Sequence, residues 1–332
     1  MKPKHLFEII TFILCSMIFG VGQTWAYMGI VTGSKTGTYY QLGKDIAKLC
    51  RTHGMDIVVK ESEGSLDNIT RMQSRENAAF GIVQSDVLGV LYLKKPEVVK
   101  RLGIIYPFCN EEVHLIARKN IESFTDLNQK TIATGTKGSG SWLTLTNLLH
   151  KMRVKPAREI TALKPMDALI YVLEGKIDAM IYVAGKPVLL FSKMEELSKK
   201  PKYKALIDDV HFVPLNHPDM LEEYYVASKI GPSDYSWVKE STSTIAVKAL
   251  LVSFDFSASQ SPYYRKRCKQ LKDLSSIIEN NLYLLKSNGH EKWNEVDLEV
   301  EIGKWKLDKC AHPFSWENRK DSLYEDLKEM FE

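Results

Sequence analysis

Short apolar and β-branched runs alternate with helix-period patterns along most of this chain, and that alternation restricts the fold more than any other feature. Met28 to Thr32 is an apolar run that ends in Gly33, and Leu42, Ile46 and Leu49 then recur at spacings of four and three. Asp56 to Lys60 reads as a strand; Leu66, Ile69 and Met72 form the apolar side of a helix that Ser65 is placed to cap. Ala79 to Val83 reads as a buried strand ending at Gln84-Ser85-Asp86, and Leu102 to Tyr106 is a further apolar run. Alternation of this kind implies a parallel sheet covered by helices.

The pattern restarts after Glu112. Val113 to Ala117 reads as a strand, and Ser123 to Asp126 has capping-box spacing. Thr131 to Thr134 leads into Gly135-Thr136-Lys137-Gly138-Ser139-Gly140-Ser141, followed by a helix with Leu145, Leu148, Leu149 and Met152 on one side. Ile160 to Leu163 reads as a strand, Ala168 to Leu173 as a helix, and Ala179 to Val183 as another strand. Thr244 to Phe254 is long, apolar and β-rich. Ser261-Pro262 gives an N-cap followed by proline at the first helical position. Leu271, Leu274, Ile278, Leu282 and Leu285 make a stripe stopped by Gly289; a continuous helix there would be roughly 40 Å long by its rise per residue. Lys309 to Pro313 reads as a surface turn.

A length of 332 residues exceeds one ordinary core and suits two domains. The net charge of +4 comes from 45 basic and 41 acidic residues with no long basic block, which argues against nucleic-acid binding. Residues 1–26 differ from the rest: Lys2, Lys4 and His5 precede the apolar stretch Ile9 to Val21, and Thr24-Trp25-Ala26 offers small residues at both positions a signal peptidase reads. This is the pattern of an export signal cleaved after Ala26, with a retained anchor as the alternative, and it places the mature chain in the periplasm. Export permits disulfides, and the four cysteines that remain allow three pairings. Cys268 and Cys310 are expected to pair, tying a tail with few apolar residues onto the long helix; Cys50 and Cys109 stay open.

Three polar segments each follow a strand and precede a helix: Gly33 through Tyr40, Glu61 through Ser65, and Gln84-Ser85-Asp86. Ligands of open α/β sheets bind beyond the carboxyl ends of the strands, where helix starts also present free N–H groups. Thr36, Tyr39, Glu63, Ser65, Asn68, Gln84, Ser85 and Asp86 are therefore candidate ligand contacts from the first half. Ser139, Gly140, Ser141 and Tyr182 are the candidates from the second. Gln84 and Asp86 are expected to orient the solute, and Ser139 and Ser141 to hold an acid group. Ser65 and Asp86 also fit as plain helix caps, Asn68 as a solvent-facing residue, and Trp142 as either a packing residue or a ligand wall. The loop at Gly135 lacks the lysine of a phosphate-binding loop. No catalytic or metal-binding motif stands out, and no cofactor is expected; His114 lies on one strand face with Glu112 but without an evident nucleophile.

As an ordered set, several segments resemble the solute receptors of TRAP transporters, in particular the TAXI group. They are Thr32-Gly33 through Thr38-Tyr39-Tyr40, Glu63-Gly64-Ser65-Leu66-Asp67-Asn68, Gly81 through Asp86, Glu111-Glu112-Val113-His114, Gly138-Ser139-Gly140-Ser141 and Thr244 through Ala249. The resemblance implies a type II periplasmic-binding-protein fold, two α/β lobes joined by a hinge. The expected hinge segments are Val113 to Arg118 and Ser243 to Leu251, which makes the first lobe discontinuous, residues 27–117 and 244–332, with 118–243 as the second. The resemblance further implies a monomeric, non-enzymatic receptor that captures a small anionic solute, such as glutamate or 2-oxoglutarate, and delivers it to a TRAP membrane permease. The alternatives are a receptor that presents its solute to a membrane sensor, or an enzyme on the same fold. Ser34-Lys35 and Ser141-Trp142 depart from the usual pattern within the candidate pocket, so the solute's identity does not carry over.

Overall fold

The structure, a computed structural model, describes residues 28–35, 37–74, 78–221, 224–299, 302 and 305–313. The expected export signal and Thr36 lie outside these residues.

The apolar runs form strands β1 (Met28–Val31), β2 (Ile57–Lys60), β3 (Phe80–Gln84), β4 (Leu102–Arg118), β5 (Thr131–Ala133), β6 (Arg158–Ile160) and β7 (Ala179–Ala184), followed by β8 (Val210–Phe212), β9 (Tyr225–Ile230) and β10 (Thr242–Phe254). The helices that matter below are α1 (Thr38–Thr52), α2 (Ser65–Gln73), α3 (Ser85–Lys94), α4 (Gly140–Lys151), α5 (Pro165–Leu173), α6 (Pro262–Asn280) and α7 (Leu282–Asn288). The strands join in the order β2-β1-β3-β10-β4-β7-β5-β6, with β8 on β4 and β9 on β10.

Two long strands make this one sheet into two lobes. β10 pairs with β3 from Ala249 to Ser253 and with β9 from Thr242 to Val247. β4 pairs with β7 from Glu112 to Ala117, while its earlier residues run beside β10. The two strands thus change partners at Glu111–Glu112 and at Lys248, and the β4–β10 ladder carries a register shift between Lys248 and Leu250. Such irregularities bend and twist a strand, here where it passes from one lobe to the other.

Each lobe has its own core. Met28, Ile30, Leu42, Ile46 and Phe80 of the first pack with Leu271, Leu274 and Ile278 of α6. Each of these α6 side chains is almost fully buried, which stabilises by about 1.5–3 kcal/mol apiece relative to exposure. The second lobe is built around Leu145, Leu148 and Ile181 on one side of its sheet and Ala168, Val172 and Phe191 on the other.

Four readings need correction. The apolar runs at Leu102 and Val113 belong to a single 17-residue strand, because the residues between them, Glu111 included, stay paired to β10. The strand expected at Ile160 to Leu163 lies earlier, at Arg158–Ile160, where it pairs in parallel with β5. The long C-terminal helix breaks at Asn281 into α6 and α7. Residues 309–313 are not only a surface turn: Cys310 and Ala311 are buried in the first lobe's core. The tail reaches there by pairing with β4, with Ile104 donating to Lys306 O and accepting from Asp308 N. Cys268 and Cys310 are joined by a disulfide spanning 42 residues. Cys50 and Cys109 are buried free thiols.

Candidate functional site

The carboxyl ends of β1, β2 and β3 lie on one edge of the first lobe, as the parallel register requires. Tyr39, in the first turn of α1, donates its hydroxyl to Glu111 Oε2 at 2.6 Å inside the protein. Asn68 is fully buried and donates to Thr32 O and Ile82 O, both at 2.7 Å, so it ties the ends of β1 and β3 together. Ser65 is the first residue of α2 and not its cap; Gly64 takes that position, and the Ser65 hydroxyl accepts from Gln84 N at 3.1 Å. Glu63 is exposed, its backbone N–H donating to Asp67. Ser85 begins α3 and bridges Tyr224 O and Lys248 N.

Across from this edge stands the start of α4. Ser139 caps that helix by accepting from Trp142 N at 3.2 Å. Ser141 accepts from Val183 N at 2.9 Å, and Trp142 packs beside the first lobe's Val83 and Leu250 cluster. The lobes meet along one face of α4. Gly140 lies against Gln84: a Cβ there would sit 1.9 Å from Gln84 Oε1, so any larger residue displaces the Gln84 amide. One turn further, Thr144 donates to Asp86 Oδ2 at 2.7 Å, and Tyr225 donates to the same oxygen at 3.1 Å. Gly64, at φ +109°, also faces Gly140 and adopts a backbone conformation that disfavours any side chain.

The electrostatics of this seam are set by burial. Asp86 is fully buried, which pushes its carboxyl up to about 6 although the Thr144 and Tyr225 hydroxyls pull it down. Burial raises Glu111 to about 7, against hydrogen bonds from Tyr39 and Gln84. Tyr182 is held above its ordinary value by burial and by the nearby Glu111 charge. Among the described residues, Gln84 Oε1 and Asp86 Oδ1 are buried and make no full hydrogen bond.

Of the residues singled out from the sequence, Tyr39, Gln84, Asp86 and Gly140 lie at this seam, whereas Tyr182 pairs with His114 and packs edge-on to Phe191 in the second lobe's core; Glu111, Thr144 and Tyr225 were passed over. Their hint was weak: the pattern restarts after Glu112, and only the structure shows one strand running through Glu111 and Glu112. The neighbouring Glu112 belongs to a separate cluster. Its Oε2 accepts from Lys186 N at 3.0 Å and lies 3.4 Å from Lys292 Nζ, which also contacts Glu295 at 2.6 Å. His114 is neutral: burial lowers it to about 3. Nδ1 faces the Glu112 carbonyl and so donates to it, which leaves Nε2 of the neutral ring to accept from the Tyr235 hydroxyl, whose oxygen also accepts from Val188 N. A histidine satisfied in this way is a core residue. Among the described residues no group of His, Cys, Asp or Glu is arranged to hold a metal ion, and no helix is long and apolar enough to cross a membrane.

Two α/β lobes, a first-lobe strand order of 2-1-3-10-4 and two strands shared between lobes define a protein of the type II periplasmic-binding-protein fold. Within that class the chain belongs to the NMT1-like family, whose model matches residues 30–263. Among solved structures it is similar to MatC of Rhodopseudomonas palustris with bound malate, at 12% identity and a TM-score of 0.47, covering 91% of this chain and 97% of that one. It is also similar to the Candida albicans CA3427 gene product, described as having the generic periplasmic binding protein fold, at 12% identity, a TM-score of 0.46 and coverage of 90% and 89%. A third is a putative periplasmic sulfonate-binding protein of Methylobacillus flagellatus, at 13% identity, a TM-score of 0.44 and coverage of 79% and 69%. No curated protein matches the sequence.

Proposed function

We propose that this protein is an extracytoplasmic receptor that closes its two lobes on a small polar solute and presents it to a membrane permease, of the TRAP type that the sequence resemblance implies. The observation that carries this reading is the seam itself. Gln84 and Asp86 of one lobe face Gly140 and Thr144 of the other, beside the point where both shared strands change partners. A solute that contacts both sides favours the closed arrangement by its differential affinity for it. The hinge is formed by β4 near Glu112 and β10 near Lys248. Of the second lobe's candidates, Gly140 bears directly on Gln84, while the Ser139 and Ser141 oxygens already accept backbone N–H groups.

Native mass spectrometry of gently purified protein tests this reading by identifying a solute carried through purification. Small-angle scattering of stripped and solute-loaded protein then measures closure. A smaller radius of gyration with solute is expected; an unchanged radius at saturation overturns hinge closure.

A further inference from the structure

The seam has a chemical bias. Among the described residues, two buried acceptors of the seam make no full hydrogen bond, Gln84 Oε1 and Asp86 Oδ1, on residues only 3% and 0% exposed, although the N–H groups of Val87 and of Asp86 itself also act on the Asp86 carboxyl. The Gln84 amide is oriented by Glu111, whose carboxylate takes a hydrogen bond from it, and this leaves the oxygen end facing Gly140. Asp86 lies close enough to Glu111 for their charges to repel. Among the described residues neither carboxyl has an ion-pair partner. Lys292, the cation that acts on Glu111, is engaged by Glu112 and Glu295. Burial lowers Lys248, and the Glu295 and Asp297 charges act against that burial. Lys186 pairs with Asp234, and Lys35 with Glu61. The Thr144, Tyr225 and Tyr39 hydroxyls all donate to the carboxyls, whereas the Ser139 and Ser141 hydroxyls, whose oxygens accept from backbone N–H groups, keep their own O–H to donate.

We infer that the solute is recognised through a protonated nitrogen, an ammonium or amidinium group, that donates to Gln84 Oε1 and Asp86 Oδ1 beside the Glu111 carboxylate. This rests on the receptor reading and departs from the anionic solute implied by the resemblance. Unpaired buried acceptors cost free energy that only donors recover, and buried carboxylates favour the ionised form when a cation sits between them. The raised values of Asp86 and Glu111 are what such a site shows when no cation faces it. An amine-free diacid offers no donor in its ionised state and adds negative charge to two carboxyls.

The test uses stripped protein and three probe sets at millimolar concentration, read by thermal shift and then calorimetry. The sets are linear diamines and agmatine, the common amino acids, and amine-free C3 to C6 mono- and dicarboxylates. At least one amine-bearing probe is expected to bind, with Asp86→Asn and Glu111→Gln each weakening it tenfold or more. Both variants are near-isosteric, and circular dichroism checks that they fold. Tight binding of an amine-free acid with no binding by the other two sets overturns the inference and leaves the receptor reading standing. So does an amine-bearing probe whose affinity both folded variants retain. Binding by no probe, together with no solute in native mass spectra, counts against both readings.

Discussion

Lys292 is the most sharply predicted structural residue. Its side chain is 1% exposed and its partner Glu112 is 3% exposed. Burial works to lower Lys292, but Glu112 and Glu295 more than offset it. For Glu112 the balance is reversed: burial raises it despite Lys292. The pair is therefore not a large net stabiliser, yet breaking it strands a carboxylate. Removing one partner of a buried pair costs roughly 3–5 kcal/mol. Glu112 keeps hydrogen bonds from Lys186 N and Ser228 Oγ, so Lys292→Met should fall at the low end, about 3 kcal/mol. Chemical denaturation followed by tryptophan fluorescence measures it, because Trp293 adjoins the site and is fully buried. Adding Glu112→Gln to Lys292→Met should recover a large part of the loss, since an amide needs no counter-charge. A single-variant cost under about 1 kcal/mol, or a double variant as unstable as the sum of both singles, refutes the argument.

Three further outcomes are expected. Asp86 and Glu111 have folded values raised above their ordinary ones, so their stabilisation is complete in acid and is lost as pH rises through about 6 and about 7. Between pH 7 and 5 the two together should add roughly 3 kcal/mol that Asp86→Asn/Glu111→Gln lacks; His114 and Asp308 act equally in both proteins and cancel, and equal pH slopes in urea titrations would sink the assignment. Gly140→Ala should hold the lobes apart, because its Cβ would meet Gln84 Oε1, so solute affinity should drop at least tenfold in calorimetry while the melting temperature of the solute-free protein stays within a few degrees. Cys268→Ser should cost about 3–4 kcal/mol in the chain-entropy model, and peptide mapping without reductant should find Cys268 linked to Cys310 and nowhere else.

The alternation of strands and helices was legible because each element carries its own period. The helix at Thr38–Thr52 buries Leu42, Ile46 and Leu49 on one face, and the strand at Phe80–Gln84 is buried throughout. Legibility failed where burial and polarity part company. Glu111 and Glu112 interrupt the apolar pattern, but they lie mid-strand and almost fully buried, since Tyr39 and Gln84 satisfy one and Lys292 and Lys186 the other. Those partners are as much as 180 residues away, and no local pattern announces them. β9 was missed for the opposite reason: four of its six residues are not buried, so it shows neither an apolar run nor clean alternation. The seam was only half visible. Loops after strands point to an edge, whereas Thr144 and Tyr225 sit in a helix and a strand whose packing roles hide them.

One step along β4 separates two jobs. Successive strand residues point to opposite faces. Glu111 consequently turns toward Tyr39, Gln84 and the seam, while Glu112 turns toward Lys186, Lys292 and Ser228. Among the described residues the first carboxyl has no ion-pair partner and is balanced by neutral donors; the second is clamped by a buried lysine from the C-terminal segment. That segment is itself fixed to the first lobe. Trp293 donates to Asp45 and packs edge-on against Phe108, and the disulfide holds the tail at α6. The Lys292 stem also fills the space beside Gly185 of the second lobe. A displacement at the junction therefore pulls on a segment anchored in the first lobe's core, whereas the seam beside it is held by hydroxyl and amide contacts that a solute can replace. The arrangement predicts that Lys292→Met changes the stability of the whole chain more than its solute selectivity, and that Asp86→Asn does the reverse.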